Sequence, residues 1–241
     1  MKSNYQTVLL GRHVVLIPYR PQHVPRYHRW MEDPYLQHMT GSEPLSLEEE
    51  VAMQKEWRDD DDKCTFIVLE RGACVGLDQL ELQQKQTTAA ADGADDAVVG
   101  DAGDNGAKVV TEEETTECPA ASLPSDFVEA NLHAMVGDVN LFLSEEEPDT
   151  DDENDEEEEE GNTSAPAHTH RQAELDIMIA EQSARGRGMG SEASRIMLWY
   201  GAHHLQVRRF FAKIKKDNDA SRALFERRLG FEEIAYAECF G

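Results

Sequence analysis

Apolar and polar residues recur along this chain with two periods, and each period predicts one type of element. The β-branched run at residues 14–19 predicts a strand, and apolar residues at helical spacing predict a helix over residues 22–33. The sequence Ser46-Leu47-Glu48-Glu49 has the pattern of a capping box, which predicts the start of a second helix. Residues 64–69 are typical of a buried strand.

Two later segments, 73–82 and 134–143, compete to pair with that strand. Further along, residues 174–179 alternate, which places Leu175, Ile177 and Ile179 on one strand face and Glu174, Asp176 and Met178 on the other. The remaining pattern predicts a helix from 190, a strand at 210–214, a helix at 220–229 and a last strand at 233–240. Strands that alternate with helices indicate an α/β sheet with mixed pairing.

Charge is distributed very unevenly over the 241 residues, whose formal net charge is −26. Residues 72–132 hold thirteen acidic residues against two lysines, and residues 145–160 hold thirteen with no basic residue, so the rest is nearly neutral. We therefore expect a single domain, 1–241, with an acidic low-complexity insertion at 72–132 and an acidic disordered loop at 145–170. Segment 83–126 is too poor in apolar residues to offset its ordering entropy, so we expect disorder there, and 73–82 is a possible extra strand.

The sequence has no pattern typical of a metal site, a disulfide framework or a membrane segment. The four cysteines lack any metal-binding spacing, and His168 and His170 lack accompanying ligands, so we expect free thiols, exposed histidines and no metal. The N-terminus has no apolar core of a signal peptide, and no stretch is long enough to span a bilayer. These features predict a soluble, intracellular, cytoplasmic protein that binds neither membrane nor nucleic acid.

The stretch Arg185-Gly186-Arg187-Gly188-Met189-Gly190 lies between a predicted strand and a predicted helix. Glycines allow the backbone to approach a ligand, and a helix start offers unpaired N–H groups, so this turn is suited to phosphates. A nucleoside triphosphate loop would end in Gly-Lys-Ser/Thr, and a dinucleotide fold would place an acidic residue on the following strand. Neither feature is present, which indicates another phosphate carrier.

Two ordered motifs resemble those of the GCN5-related N-acetyltransferase (GNAT) superfamily. The first is Arg-x-x-Gly-x-Gly in the turn at residue 185, and the second is Asn218-x-x-Ser221, followed by Leu-Gly-Phe at residues 229–231. The resemblance implies an α/β (α+β) fold with a mixed, mostly antiparallel central sheet flanked by helices. It also implies acetyl-coenzyme A as cosubstrate.

Further segments narrow the resemblance to the N-acetyltransferase 9 branch, the alpha/beta-tubulin N-acetyltransferases. These are residues 9–19, 42–50, 63–69 and 136–143. The sequence of residues 136–143 resembles this branch, which favours it as the strand that pairs with 64–69. The first insertion would then lie inside the hairpin that these two strands form. The resemblance implies transfer of acetyl to a protein N-terminal amine, with alpha/beta-tubulin as the expected acceptor.

The resemblance also assigns roles in coenzyme binding. The N–H groups of the turn would hold the pyrophosphate, with Arg185 or Arg187 supplying charge, while Asn218 and Ser221 would contact the pantetheine arm. The backbone of residues 178–180 would bind that arm as an added strand. The implied cofactor-binding residues are Met178, Ile179, Ala180, Arg185, Gly186, Arg187, Gly188, Met189, Gly190, Ser191, Asn218 and Ser221.

The catalytic groups are less well defined by sequence. Glu174 or Asp176 could take the proton of the acceptor amine through water, with direct attack on the thioester in a ternary complex. An α-amino group with a pKa near 8 makes a smaller demand on a base than a lysine near 10.4. Many members of the superfamily carry a leaving-group tyrosine where this chain has Phe225.

The sequence is also compatible with two other functions. The acidic insertions would attract a cation, which suggests acetylation of a polyamine or another small amine. Phe225, together with a chain that stops before a further strand expected from the resemblance, suggests a non-catalytic coenzyme A-binding or microtubule-associated scaffold.

Overall fold

A six-stranded sheet in the order β1-β2-β3-β4-β5-β6 forms the centre of the molecule. The computed structural model describes residues 1–82, 123–146 and 170–235. All neighbouring strands are antiparallel except β5 and β6, which are parallel. The strands are β1 (Leu9–Leu10), β2 (Val14–Pro18), β3 (Lys63–Glu70), β4 (Met135–Glu146), β5 (His170–Ile179) and β6 (Arg209–Phe211).

Helices cover both faces of this sheet. They are α1 (Val24–Met31), α2 (Pro34–Thr40), α3 (Leu47–Asp59), α4 (residues 77–82), α5 (Ser125–Ala130), α6 (Met189–His204) and α7 (Asp219–Leu224), the last continued by a π-helical turn, Phe225–Leu229. The predicted mixed, mostly antiparallel sheet flanked by helices is confirmed.

Two buried clusters fill the space between sheet and helices. One lies between the sheet and α6, where Phe66, Val139 and Leu175 meet Met197 and Tyr200. The other lies on the opposite face, where Ile17, Ile67 and Met178 pack with residues of α1, α2 and α5. Both faces of the strands are therefore covered, which explains why the central strands are long apolar runs rather than strict alternations.

Several sequence predictions hold at the level of single interactions. Ser46 and Glu49 form the predicted capping box, with the Ser46 side chain accepting from the Glu49 N–H and the Glu49 carboxylate accepting from the Ser46 N–H. Residues 134–143, not 73–82, provide the strand that pairs with β3. Met178 lies on the face opposite Leu175, as the alternation predicted.

Three expectations about the insertions need correction. The possible extra strand at 73–82 is wrong, because residues 71–73 form a 3₁₀ turn and residues 77–82 are helical. Residues 123–126, expected to be disordered, include the buried Leu123 and the start of α5. Residues 145–146 and 170 belong to strands rather than to the acidic loop. The rest of the expected disorder, 83–122 and 147–169, lies outside the described residues.

Two further differences concern α2 and the C-terminal region. Helix α2 was not predicted, although Asp33 caps it by accepting from the Tyr35 N–H and Pro34 occupies its first position. No strand is present in residues 233–235, and the remainder of the strand predicted at 233–240 lies outside the described residues.

A buried polar layer separates α1 and α3 from the sheet. Asp138 on β4 is 2 % exposed and accepts from the Asn140 amide at 2.7 Å, and Glu50 on α3 is 1 % exposed and lies 3.5 Å from His28. Burial and the neighbouring Asp176 raise the pKa of Asp138 to about 8. Asp138 is therefore protonated at neutral pH.

Gly137 precedes Asp138 on β4 and pairs with Ile179 on β5. A Cβ on Gly137 would lie 1.9 Å from the Met178 carbonyl oxygen, which is a backbone atom and cannot rotate away. Only a residue without a side chain fits at this position of the strand pair.

Gly137→Ala should therefore lower the free energy of unfolding by about 3 kcal/mol, because β4 must move away from β5. Denaturant unfolding measures this change. Gly72→Ala is the matched control, because a Cβ there meets nothing within 4 Å and should change stability by less than about 0.5 kcal/mol. Equal stability of the two variants would contradict the close approach.

Asp138→Asn should change the pH dependence of stability. The native carboxyl keeps its proton up to about pH 8, whereas the unfolded one loses it near 3.9, so wild-type stability falls as pH rises between these values. Asparagine removes this proton uptake. Thermal melts should show the variant gaining on wild type from pH 5 to pH 8, and a constant difference would show that Asp138 does not titrate in this way.

Candidate active site

The parallel strands β5 and β6 pair over only three residues and then separate. Gln172, Ala173 and Glu174 pair with residues 209–211, and from Leu175 to Ile179 no strand of the described chain pairs with this edge of β5. A cleft of about 1320 Å³ opens at this point. Its walls come from the unpaired part of β5, the glycine turn, α2, the first turns of α6, residues 212–214 and α7.

The glycine turn leads from the end of β5 into α6. Gly186 and Gly188 have positive φ values of 72° and 85°, which side chains rarely adopt, and Gly188 is the N-cap of α6. The N–H groups of the first helical turn have no intrahelical acceptor and carry the positive end of the helix dipole. The turn therefore presents main-chain donors to the cleft, as an anion requires.

The two arginines of the turn have different surroundings. Arg185 donates to the Ile179 and Ala180 carbonyl oxygens at 2.8 and 2.9 Å, and its guanidinium lies 5.4 Å from the centroid of the Tyr35 ring. Arg187 is half exposed and forms an ion pair with Glu70 at 2.6 Å. Arg185 thus fixes the turn to the end of β5, while Arg187 remains at the open side of the cleft.

Glu192 anchors the first turn of α6 to the hairpin between β1 and β2. Its carboxylate accepts from the main-chain N–H groups of Arg12 and His13 and contacts His13 Nδ1 at 3.0 Å. A Cβ on Gly11 would lie 2.6 Å from this carboxylate, so the hairpin and the helix are packed tightly. The acidic side chain is thereby held by N–H donors of the hairpin.

Asn218 and Ser221 meet at the start of α7, on the opposite wall. The Asn218 side chain accepts from the Ser221 N–H at 3.1 Å and so caps the helix, while its amide donates to the Met39 carbonyl oxygen at 3.5 Å. Both residues line the cleft. Of the twelve residues expected to bind the cofactor, ten line it, whereas Ala180 and the buried Met189 do not.

The two carboxylates considered as bases have distinct environments. Glu174 forms an ion pair with Lys213 at 2.6 Å and is not among the residues that line the cleft. Asp176 lines the cleft, and burial together with the charge of Glu174 raises its pKa to about 6. Asp138 is its diagonal neighbour, because Asn140 pairs with Asp176 and Asp138 pairs with Met178.

Helix α2, Lys213 and Ile214 also line the cleft, and the sequence did not predict any of them as part of the site. His38 Nε2 and Asp217 Oδ2 lie within hydrogen-bond distance, at 2.7 Å. The cleft wall contributed by α2 consists of Tyr35, Leu36, Met39 and Thr40. The cap signal at Asp33-Pro34 could have revealed the helix, but its position over the cleft depends on tertiary packing.

Phe225 borders the cleft from the side of the core. It is 3 % exposed, and its ring meets that of Phe231 edge to face at 5.1 Å. The side chain therefore supplies packing and no proton to this wall.

The part of the chain that the structure describes contains no group of three or more His, Cys, Asp or Glu arranged to hold a metal ion. Within the same residues, none of the helices combines the length and apolar character needed to cross a membrane.

The chain is similar to known acetyltransferases. Residues 109–232 match the model of the acetyltransferase (GNAT) domain. Over its full length the chain is 37% identical to alpha/beta-tubulin-N-acetyltransferase 9 of Homo sapiens, covering 82% of that protein. It is also 37% identical over its full length to an N-acetyltransferase 9-like protein of Nematostella vectensis, covering 85% of it.

Among solved structures, the chain is similar to spermidine N-acetyltransferase from Vibrio cholerae, which was solved with CoA and spermine. The TM-score is 0.53 at 14% identity, with 94% of this chain and 85% of that chain covered, so the similarity concerns the fold. Fold, motifs and full-length similarity agree that this enzyme belongs to the GNAT family of acetyltransferases, in its N-acetyltransferase 9 branch.

Proposed function

We propose that this acetyltransferase moves the acetyl group of acetyl-coenzyme A to the N-terminal α-amine of a protein, with tubulin N-termini as the first acceptors to test. The unpaired edge of β5 beside the glycine turn is the observation that carries this proposal. It offers main-chain groups to a pantetheine arm at one end of the cleft and N–H donors to a pyrophosphate at the other. Tubulin enters from the name of the human relative.

The proposed cofactor-binding residues contact different parts of acetyl-coenzyme A. Main-chain N–H groups of the turn from Gly186 to Ser191 hold the pyrophosphate, Arg187 adds charge, and Arg185 positions the turn. The backbone of residues 178–180 binds the arm, and one of its N–H groups stabilises the thioester oxyanion. Asn218 and Ser221 border the arm from the α7 side.

Asp176 is the better candidate for the general base. Its carboxylate lies at the cleft and has a pKa of about 6, so at pH 7 most molecules carry an unprotonated base, whereas Glu174 is held by Lys213. The neutral amine attacks the thioester carbon and gives a proton to Asp176, the C–S bond breaks, and the thiolate leaves. Because Phe225 cannot donate a proton, the thiolate takes one from water in the open cleft.

The acceptor amine itself favours an N-terminus. An α-amino group with a pKa near 8 is neutral in about a tenth of molecules at pH 7, whereas a lysine near 10.4 is neutral in about one of a few thousand. A base with a pKa of about 6 is therefore better suited to an α-amino group than to a lysine. Full-length similarity to N-acetyltransferase 9 proteins gives the polyamine and scaffold alternatives less support.

A binding and turnover assay tests the function directly. Calorimetry should show binding of acetyl-coenzyme A, and a panel of peptides with free N-termini should be acetylated, including Met-starting tubulin N-termini. Spermidine and N-terminally blocked peptides that contain lysine serve as controls and should react poorly. Binding of the cofactor without acetylation of any peptide would contradict the proposal, and preferential turnover of spermidine would support the small-amine function.

The pH profile of kcat/KM tests the base. In wild type, deprotonation of Asp176 and of the amine both favour reaction, so log kcat/KM should rise with a slope of about 2 below pH 6 and about 1 between pH 6 and 8. Asp176→Asn should lose at least about tenfold at pH 7 and keep only the slope of about 1.

Glu174→Gln is the matched control for that experiment. It should keep the steeper limb and move it to lower pH, because the charge of Glu174 is one cause of the raised Asp176 pKa. A wild-type profile in Asp176→Asn would exclude Asp176 as the base.

A further inference from the structure

The arginines that line the cleft differ in whether a partner already holds the side chain. Arg185 donates to two carbonyl oxygens at the end of β5, and Arg187 forms an ion pair with Glu70. Three more line the cleft and are exposed: Arg12, Arg195 and Arg228. In the described part of the chain, no carboxylate lies within ion-pair distance of these three guanidinium groups.

Arg195 and Arg228 form a pair on one wall of the cleft. The Arg195 guanidinium donates to the Arg228 carbonyl oxygen at 3.0 Å, which joins α6 to the π-helical turn after α7. This bond leaves other N–H donors of the guanidinium free for a ligand. Two neighbouring cations without an acidic partner in the described residues favour an anionic ligand.

The arginine pair lies beyond the glycine turn along α6. Ser191 and Arg195 are four residues apart on this helix, so they share one face and are about 6 Å apart along it. Ser191 is the last of the residues proposed to hold the pyrophosphate. A ligand bound there therefore has Arg195 beside it, one helical turn further on.

Helix α7 and the π-helical turn give the same order from the opposite wall. Ser221 lies near the start of α7, and Arg228 follows it by seven residues, which corresponds to about 10 Å of helix. The glycine turn faces the segment between them, because a Cβ on Gly190 would lie 3.9 Å from Leu224 Cδ2. The cleft thus presents the proposed arm-binding residues first, the glycine turn next and the arginine pair last.

The groups of coenzyme A follow one another in the same order. From the thioester these are the pantetheine arm, the pyrophosphate and the adenosine, which carries a phosphate monoester on its 3′-oxygen. Such a monoester has a charge of about −1.5 to −2 at neutral pH, and guanidinium groups bind phosphate through paired N–H donors. A chain with a formal net charge of −26 needs local cations to hold this dianion.

We infer that Arg195 and Arg228 bind the adenosine 3′-phosphate of coenzyme A and thereby distinguish this cofactor from dephospho-coenzyme A. The inference rests on the proposed function and adds a pair of specificity-determining residues to its cofactor site. Arg12 is less suited to this role. The Glu192 carboxylate accepts from its main-chain N–H, so a negative charge already lies beside it.

Calorimetry with coenzyme A and dephospho-coenzyme A tests this assignment, because the two compounds differ only in the 3′-phosphate. Wild type should bind coenzyme A about tenfold more tightly, since each exposed ion pair contributes up to about fivefold. The ratio of the two Kd values should shrink between about 0.1 M and about 1 M salt, because the screening length falls from about 10 Å to about 3 Å.

Substitutions locate the effect. Arg195→Gln and Arg228→Gln should each lower the Kd ratio about two- to fivefold, and the double variant should bring it to about one. Arg228→Gln keeps the carbonyl that accepts from Arg195, so its effect does not come from loss of that bond. Dephospho-coenzyme A should bind every variant about as tightly as wild type, which shows that the rest of the cofactor site is intact.

Arg12→Gln is the matched control, because it removes the same charge from another wall of the same cleft. It should keep the wild-type Kd ratio. A ratio that falls in Arg12→Gln but not in the double variant would place the 3′-phosphate at the β1–β2 hairpin and overturn the inference.

The remaining outcomes separate this inference from the proposed function. Equal binding of the two compounds by wild type, or a wild-type Kd ratio in the double variant, would overturn the inference and leave N-terminal acetylation intact. Binding of neither compound by folded wild type would contradict the proposed function and the inference with it.

Discussion

The short parallel pairing between β5 and β6 is the constraint on which the rest of the site depends. Three residue pairs hold the strands together, and then they diverge. A sheet whose strands stayed paired would consume every main-chain donor and acceptor of β5, and no edge would be left for a ligand. Divergence leaves that edge exposed between two covered faces, where α6 and α7 form one wall and α2 the other.

The glycine turn and the buried polar layer both serve this opening. Arg185 joins the turn to the last carbonyls of β5, and Glu192 joins the same helix start to the β1–β2 hairpin, so the donors of the turn are fixed before any ligand arrives. On the other face, burial raises the pKa of Asp176, and Asp138 lies diagonally behind it. In the proposed role of Asp176 as general base, this raised pKa makes it a stronger base than a carboxylate in water.

Charge is distributed unevenly along the chain, and the net charge does not show this. Most of the acidity belongs to 72–132 and 145–160, whereas residues 208–216 contain five basic residues and no acidic one. A net charge of −26 alone would predict attraction of cations, but a substrate at the cleft responds first to the charges within a screening length of it.

The sequence by itself determined the family, the class of fold and the glycine turn, because these depend on local patterns. A capping box, a strand alternation and glycines at positive φ are each specified within a few residues, and the structure reproduces them. The choice of 134–143 as the partner of β3 also followed from sequence, through resemblance rather than periodicity. Tertiary structure alone decided the rest. It distinguished Asp176 at the cleft from Glu174 in an ion pair, buried Asp138, and brought α2 to the site. Those outcomes depend on burial and on contacts between residues distant in the chain, which no local pattern encodes.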